Sequence, residues 1–335
     1  MVCEFITGGG LCGESIPASL LKEGVAMRDA LLRDLAVLNR YDIICMVDER
    51  LLLSTITHKS ITVKAGDDFN KVFKKSLKKA DYVWLIAPES NGILLDLSEI
   101  VYKSNALLLG CGYDATLIGT SKSLSFEALA AANVYTLPVF GGEELMQQAC
   151  FNEALVLNPP KWVAKPEDGA GCEGIRLFDT LHNLRDWLKQ GDQYLRYFAQ
   201  PFQSGITASF CMLCRDGKAW LLSSNQQHIA CDGNIFTLTG ITLNGMQTYE
   251  KRFETIARKI ANMLPDALGY VGVDVIIDTE KDQIVVIDIN PRLTTSYVSL
   301  QQALDVNPAQ LIVDCVLNRD FRMPAISKNQ VEILL

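Results

Sequence analysis

The sequence is poor in histidine, in basic charge and in long apolar runs, and each shortage narrows the range of functions. Its 335 residues include three histidines, and 31 basic against 39 acidic side chains give a net charge of −8. This balance argues against nucleic-acid binding, which requires a basic face. No apolar run is long enough to span a bilayer, and the first residues lack the basic start of a signal peptide. We therefore expect a cytoplasmic protein whose partners include neither a membrane nor a nucleic acid.

The histidines and cysteines offer no metal site of their own. His58, His182 and His228 show no ligand spacing and no nucleophile partner, so structural roles are favoured. Ten cysteines are present, and only Cys211 and Cys214 form a CxxC motif. That pair lies in a strand-like run, where residues three apart face opposite ways. Without an export signal, we expect reduced thiols that act as small core residues.

The chain is long enough for two or three domains, and its first third alternates strands with helices. This order predicts a parallel sheet flanked by helices, which we assign to a first domain at residues 1–115. The predicted strands of this domain span residues 2–7, 43–47, 82–87 and 106–110, and the predicted helices span residues 15–39 and 69–80.

The remainder changes to an α+β pattern and is richer in strands towards its end. We divide it into a middle domain at residues 116–199 and a last domain at residues 200–335. In the middle domain we expect helices at residues 120–132, 142–153 and 181–189 and strands at residues 162–165 and 194–200. In the last domain we expect strands at residues 207–214 and 219–224 and helices at residues 248–263 and 308–317.

Two acidic strands near the end carry most of the functional information. Residues 272–278 (GVDVIID) and 283–292 (QIVVIDINPR) are β-branched apolar runs typical of buried strands, joined by a short polar link. Successive strand side chains alternate faces, so Asp288 and Asn290 share one face. A hairpin symmetric about its central residue would place Asp274 directly across from Asp288, with Cβ atoms about 5 Å apart.

Such a pair is unfavourable unless something offsets its charge. At about 5 Å and an effective dielectric constant of about 20, two carboxylates repel by roughly 3 kcal/mol. Two carboxylates and an Asn carbonyl are hard oxygen ligands of the kind that suits Mg²⁺. The sequence therefore predicts a magnesium site on this hairpin. A polar strand rim with solvated carboxylates is the alternative.

A glycine-rich segment about a hundred residues upstream could bind phosphate. Lys165 ends a predicted strand, and Gly169, Gly171 and Gly174 follow within ten residues. Glycines let backbone N–H groups approach phosphate oxygens, and the lysine adds a point charge. The segment lacks the Gly-Lys-Ser/Thr ending of a Walker A loop, and many surface hairpins are equally glycine-rich.

The glycines near the start fit a dinucleotide fingerprint only in part. Gly8, Gly10 and Gly13 satisfy G-x-G-x-x-G after a predicted strand. An NAD site also needs an acidic residue about 20 positions further on, at the end of the next strand. Asp48 is too far along, and Pro17 delays the helix. A tight loop facing the ligand cleft is the favoured reading.

Taken together, these motifs resemble the ATP-grasp carboxylate–amine ligases, whose fold combines α/β and α+β parts behind an N-terminal Rossmann-like preATP-grasp domain. In that family a glycine-rich loop lies over the ATP phosphates, and acidic strands ending in an Asn-Pro-Arg-like motif hold Mg²⁺. Residues 288–292 (DINPR) match that motif, and residues 1–115 resemble the opening domain. The start at residues 4–10 (EFITGGG) and the tail at residues 290–297 (NPRLTTSY) resemble the tyramine–glutamate ligases of methanofuran biosynthesis and their bacterial relatives.

The resemblance implies roles for the residues at matching positions. Catalysis would fall to Arg292 and Lys165, with Arg292 offsetting charge on the transferring phosphoryl group or the acyl phosphate. Mg²⁺ would be held by Asp274, Asp288 and Asn290. ATP would be contacted by Lys122, Lys165, Asp168, Gly169, Gly171, Gly174, Gln200, Pro201 and Phe202. The acceptor pocket would be bordered by Thr294, Thr295 and Tyr297.

The implied function is an ADP-forming, Mg²⁺-dependent ligase that joins a small-molecule carboxylate to an amine, with a homodimer among the expected assemblies. Two features depart from the family pattern, because Asp288 stands where glutamate is more common and the hinge after Gln200 has no glutamate for the ribose. Three alternatives stay open. They are another ATP-grasp amino-acid or dipeptide ligase, a non-catalytic ATP-binding module, and an oxidoreductase that uses the N-terminal glycines.

Overall fold

The computed structural model describes residues 1–51, 59–157, 159–166, 174–264 and 266–335. Its first part is a five-stranded parallel sheet with the strand order β3-β2-β1-β4-β5. The strands are β1 (Val2–Glu4), β2 (Ile44–Asp48), β3 (Lys59–Val63), β4 (Tyr82–Ile86) and β5 (Leu107–Leu108), and the helices are α1 (Ala18–Leu38), α2 (Phe69–Leu77) and α3 (Ile93–Tyr102).

Both faces of this sheet are buried, as expected for parallel strands covered by helices. On β2, Cys45 packs into one core with Leu31 of α1, while the next residue, Met46, packs into the other with Phe73 of α2. The first core continues beyond the sheet, because it also includes Tyr297 near the end of the chain. The N-terminal sheet and the C-terminal part therefore share one apolar interior.

The second part is built on a ten-stranded sheet whose paired strands run antiparallel. Its strands are β6 (Phe140–Gly141), β7 (Trp162–Pro166), β8 (Arg176–Phe178), β9 (Tyr197–Pro201), β10 (Ile206–Arg215), β11 (Lys218–Asp232), β12 (Ile235–Leu243), β13 (Gly269–Asp278), β14 (Gln283–Asn290) and β15 (Val331–Leu334). The accompanying helices are α4 (Tyr113–Thr120), α5 (Lys122–Ala131), α6 (Gly142–Met146), α7 (Gln148–Leu157), α8 (Leu181–Leu188), α9 (Glu250–Met263), α10 (Leu300–Leu304) and α11 (Pro308–Leu317).

Most predicted elements are present, but two predicted helices are divided and several observed elements were not predicted. The helix predicted at residues 120–132 is two helices, because Ser121 ends α4 and its hydroxyl accepts a hydrogen bond from Leu124 N at the start of α5. The helix predicted at residues 142–153 is likewise divided at Gln147. The elements that were not predicted are the strands β3, β6, β8, β12 and β15 and the helices α3 and α10, and most of α4 lies before the predicted helix.

Two further expectations, on membrane-spanning helices and on the cysteines, can be compared with the described part of the chain. None of its helices has the length and apolar character that a bilayer crossing requires. The nine cysteines that fall within it are free thiols, and six of them, including Cys211 and Cys214, are buried. The expectation of small core residues is wrong for Cys231, which is exposed, and for Cys12 and Cys150, which are half-buried.

Candidate active site

The acidic hairpin forms with the predicted pair in place. Asp274 on β13 is paired with Asp288 on β14 in the antiparallel ladder. The reason differs from the prediction, because the hairpin is not symmetric. Val275 pairs with Val286, so Ile287 is an extra residue, and this β-bulge brings Asp288 opposite Asp274.

A cavity of about 400 Å³ opens beside this hairpin. Its volume lies within the range of small-molecule sites. We call it the hairpin cavity. The predicted site residues among those that line it are Lys122, Lys165, Gln200, Pro201, Phe202, Asp274 and Asp288. The fold thus gathers residues from five separate strands and helices around one space. A second cavity, of about 300 Å³, lies at the amino ends of the parallel strands and contains none of the predicted residues.

The hairpin places two carboxylates together at the wall of the hairpin cavity. Lys122 Nζ contacts Asp288 Oδ1. Asp274 accepts hydrogen bonds from Gln227 Nε2 at 2.8 Å and from Asn290 Nδ2 at 2.9 Å. Burial, together with the adjacent charge of Asp288, raises the pKa of Asp274 to about 6, although the amide donors and Lys122 act in the opposite direction. Lys122 therefore offsets part of the charge of this carboxylate pair.

These donors fit a hard divalent cation. Asp274, Asp288 and Asn290 offer two carboxylates and an amide, the oxygen ligands that Mg²⁺ accepts. A bound cation would also offset the repulsion by Asp288, which adds to burial in raising the pKa of Asp274. Across the described ranges, no group of three or more His, Cys, Asp or Glu side chains is arranged to hold a metal. The magnesium assignment therefore depends on this mixed set and stays a prediction.

Part of the cavity lining is apolar and includes two aromatic rings. The rings of Phe202 and Phe236 are nearly parallel, 19° apart, with centroids separated by 6.4 Å. Ile229 and Leu238 add aliphatic walls. Gln227 and Phe236 are two of the lining residues that the sequence analysis did not predict. The alternation of apolar residues along β12 was the available signal for Phe236, whereas nothing distinguished Gln227 from an ordinary strand glutamine.

The predicted residues after β14 lie apart from the hairpin cavity. Arg292, Thr295 and Tyr297 do not line it, and each contacts a carboxylate from the N-terminal part of the chain. We call these contacts the carboxylate seam. The seam consists of Arg292 with Glu89, Thr295 with Glu23, and Tyr297 with Asp34.

Tyr297 is fully buried in the seam and donates to Asp34 Oδ2 at 2.8 Å. Its neighbour Thr294 shares a 2.8 Å hydrogen bond with the hydroxyl of Tyr270. Burial raises the pKa of Asp34 to about 6, even though the bond from Tyr297 favours the charged form. The substrate role of Thr294, Thr295 and Tyr297 stays a prediction.

The structure describes the whole N-terminal glycine-rich segment, but of the three glycines after Lys165 it describes only Gly174. Asp168, Gly169 and Gly171 lie outside the described residues, while Gly174 has a φ of +75°, a conformation that favours glycine. At the start of the chain, Gly9 has a φ of +94° and packs against Val63, so the predicted tight loop is present. These N-terminal glycines do not line the hairpin cavity.

Comparison with known proteins identifies the family. The ATP-grasp domain matches residues 120–296, just over half of the chain, and the pre ATP-grasp 3 domain matches residues 41–116. The chain therefore belongs to the ATP-grasp family. The enzyme class and the fold predicted from the sequence, an ATP-dependent ligase with a preATP-grasp domain ahead of the ATP-grasp fold, are confirmed.

Individual relatives give a finer comparison. The chain is 27% identical to the tyramine–L-glutamate ligase of Methanocaldococcus jannaschii over 311 residues, which cover 91% of this chain and 86% of that protein. It is 28% identical to the Methanocaldococcus fervens protein of the same name over 243 residues, 72% of this chain and 67% of that protein. A putative ATP-grasp superfamily protein from Archaeoglobus fulgidus has a similar structure, with a TM-score of 0.70, 22% identity and coverage of 100% and 98%.

Proposed function

We propose that this protein joins the side-chain carboxylate of L-glutamate to tyramine or a related aromatic amine, using ATP and Mg²⁺. One observation carries the proposal. Two lysines and two facing carboxylates line the hairpin cavity, in a chain aligned over 91% of its length with a tyramine–L-glutamate ligase. The division into residues 1–115, 116–199 and 200–335 is part of the same proposal.

The reaction has two group-transfer steps. A carboxylate oxygen of the substrate attacks the γ-phosphorus of ATP, the bond from that phosphorus to the β–γ bridging oxygen breaks, and ADP leaves. The amine nitrogen then attacks the acyl carbon of the resulting acyl phosphate. Inorganic phosphate leaves, and the nitrogen loses a proton to give the amide. Little covalent chemistry is required of the protein, which contributes positioning and charge stabilisation.

The residues of the hairpin cavity suit those tasks. Lys122 and Lys165 would offset the negative charge of the phosphates, while Phe202 offers a flat apolar surface for a base. Asp274, Asp288 and Asn290 would hold Mg²⁺, which when bound neutralises phosphate oxygens. With Mg²⁺ and ATP bound, the contact between Lys122 and Asp288 would be lost, because both side chains would interact with the metal–nucleotide complex instead.

Arg292 would act from the seam side, where it can offset charge on the transferring phosphoryl group or the acyl phosphate. It follows the proposed metal ligand Asn290 by two residues, and its guanidinium group lies within electrostatic range of Asp288. The glycine-rich segment, which includes Asp168, Gly169 and Gly171, would cover the phosphates of bound ATP.

The proposal is tested by measuring ADP release from Mg·ATP with L-glutamate, with and without tyramine, and by identifying the products by mass spectrometry. We expect ADP release that depends on the amine, together with the mass of glutamyl-tyramine. ADP release with a different carboxylate or amine would redirect the assignment to another amino-acid or dipeptide ligase. Tight Mg·ATP binding without turnover on any amine would favour the non-catalytic module.

A further inference from the structure

The segment after β14 is held by the N-terminal part of the chain through carboxylates. Arg292 contacts Glu89, which lies just after β4. The other two contacts of the seam are made by α1, so three polar side chains within six residues of sequence are each tied to an acid more than 200 residues away. Only the first of these ties involves a residue proposed to act on the reacting atoms.

The Arg292–Glu89 pair has the geometry that fixes a guanidinium group. Arg292 Nε donates to Glu89 Oε1 at 2.7 Å, and Nη2 donates to Oε2 at 2.6 Å. Nη1 donates to the carbonyl of Leu293 at 3.1 Å. These bonds use three of the five N–H groups of the arginine and set both the plane and the rotation of its fork. The two side chains are 12% and 14% exposed, so solvent does little to loosen them.

The loop that carries Glu89 is shaped for this contact. It leaves the carboxyl edge of the parallel sheet at the point where the strand order reverses between β1 and β4, the usual ligand edge of such sheets. Asn91 and Gly92 follow with φ values of 52° and 68°, two consecutive left-handed residues that turn the chain sharply. Leu94 N then donates to the carbonyl of Pro88 at 3.1 Å and closes the loop.

Charge makes the arginine dependent on its partners. The side chain of Arg292 is 12% exposed, and both ends of its fork contact the carboxylate of Glu89. A buried guanidinium group that loses its bidentate partner is left with a large desolvation penalty and seeks another anion. Glu23 of the seam and Asp288 of the hairpin cavity are carboxylates whose charges also act on Arg292.

We propose that Glu89 is a positioning residue, which acts through Arg292 by fixing the guanidinium group at the place where charge develops during phosphoryl transfer. The inference rests on the catalytic role proposed above for Arg292. It gives the N-terminal sheet a part in the chemistry, because a loop of that sheet orients a group carried by the C-terminal sheet. It also predicts that the effect of Glu89 disappears when the guanidinium group is absent.

The kinetic test compares Glu89→Gln with the wild-type protein. We expect kcat for amide formation to fall about 10- to 100-fold, the range for removing an orienting partner, with little change in KM for ATP. Glu89→Asp, which keeps the charge but shortens the reach, should give an intermediate kcat. Glu99→Gln is the matched control, since Glu99 lies in the same domain and pairs with Lys103 on the exposed face of α3.

A double-mutant cycle shows whether Glu89 acts through the arginine. In an Arg292→Lys background, Glu89→Gln should cost less than about 3-fold, since no fork remains to be oriented. Losses that multiply in the double variant would overturn the inference. So would a Glu89→Gln protein with normal or increased kcat, because an increase would mean that Glu89 restrains the arginine rather than orienting it.

A second readout needs no substrate, so it separates this inference from the proposed function. The ligand-free protein is treated with phenylglyoxal, and labelling of Arg292 is followed by peptide mass spectrometry, with the exposed Arg252 as internal reference. Glu89→Gln should increase the labelling of Arg292 several-fold, and Glu99→Gln should not. A wild-type protein without ligase activity would refute the proposed function alone. Unchanged labelling in Glu89→Gln would refute the positioning role.

Discussion

The hairpin cavity and the carboxylate seam both concentrate acidic side chains, but they satisfy them differently. In the cavity, Asp274 and Asp288 face each other across the hairpin, so two like charges are held at close range. In the seam, each carboxylate has a donor of its own. Unsatisfied charge is a cost that a binding site bears because its ligand later removes it, whereas paired charge ties elements together. Changes in the cavity should therefore reduce activity with little effect on stability, whereas changes in the seam should affect stability, and those at the Arg292–Glu89 pair should affect activity as well.

The largest effect is expected from Asp288→Ala in the cavity. Loss of a metal ligand removes several kcal/mol of charge stabilisation, so kcat/KM should fall about 1000-fold or more. Stability should change little, since the lost ion pair is about a quarter exposed and its removal also relieves the repulsion of Asp274. Steady-state kinetics and thermal unfolding measure both. Asp282→Ala, in the turn of the same hairpin and exposed, is the control. Near-normal activity of Asp288→Ala would remove the metal assignment.

The next effect concerns pH and tests the seam. Folding raises the pKa of Asp34 to about 6, so the folded protein holds this proton more tightly than the unfolded chain. The cost of ionising Asp34 is absent below about pH 4 and fully present above about pH 6, where it reaches about 3 kcal/mol. Asp34→Asn should remove it, so the variant should gain stability relative to wild type as pH rises through this window. Urea unfolding at several pH values measures the difference, and parallel curves would contradict the assignment.

Lys165→Ala is expected to have an intermediate effect, on ATP affinity. A charged hydrogen bond to a phosphate contributes about 1.5–3 kcal/mol, so the apparent affinity for ATP should fall about 10- to 100-fold. Stability should stay within about 0.5 kcal/mol. Lys161→Ala makes a matched control, because Lys161 directly precedes β7 and pairs with the exposed Asp179. Isothermal titration with Mg·ATP provides the measurement. Equal affinities for the two variants would place Lys165 outside the site.

The smallest effect is expected from Tyr297→Phe in the seam. This change leaves Asp34 Oδ2 without its donor, next to an Oδ1 atom that already has no partner in the structure. The free energy of unfolding at pH 7 should fall by about 1–2 kcal/mol. The loss should be smaller at pH 5, where Asp34 is largely protonated. Tyr113→Phe, at a 42% exposed tyrosine, controls for the loss of a hydroxyl. A greater loss at pH 5 than at pH 7 would contradict this account.

Sequence patterns predicted the fold well where local residues decide it. The apolar runs of β2 and β4 and the capped pattern of α11, which begins at Pro308 after the cap Asn307, all appear close to their predicted positions. The edge strand β3 was missed because four of its five residues are exposed or half-exposed, so no apolar run marks it. The division of the helix at Ser121 was missed because serine serves equally well as a cap and within a helix.

The sequence predicted the residues proposed to bind the metal, but it did not predict the carboxylates that contact the segment after β14. Asp274 and Asp288 attract notice because carboxylates are unusual in apolar strands. Glu23 and Asp34, by contrast, look like the solvated acids of any surface helix, and Glu89 looks like a loop residue. Their contacts join positions more than 200 residues apart, and no local pattern encodes such a distance.

The bulge at Ile287 has a consequence for how such a site can change over time. In a regular strand only every second side chain faces a given space, yet Ile287 and Asp288 are neighbours and both line the hairpin cavity. A single inserted codon, rather than a substitution, is enough to add an aliphatic wall while the acid keeps its place opposite Asp274. The deletion of that codon would give back a regular ladder with the acidic pair intact. The wall of this cavity could thus be remodelled by gain or loss of one residue, independently of the metal ligands beside it.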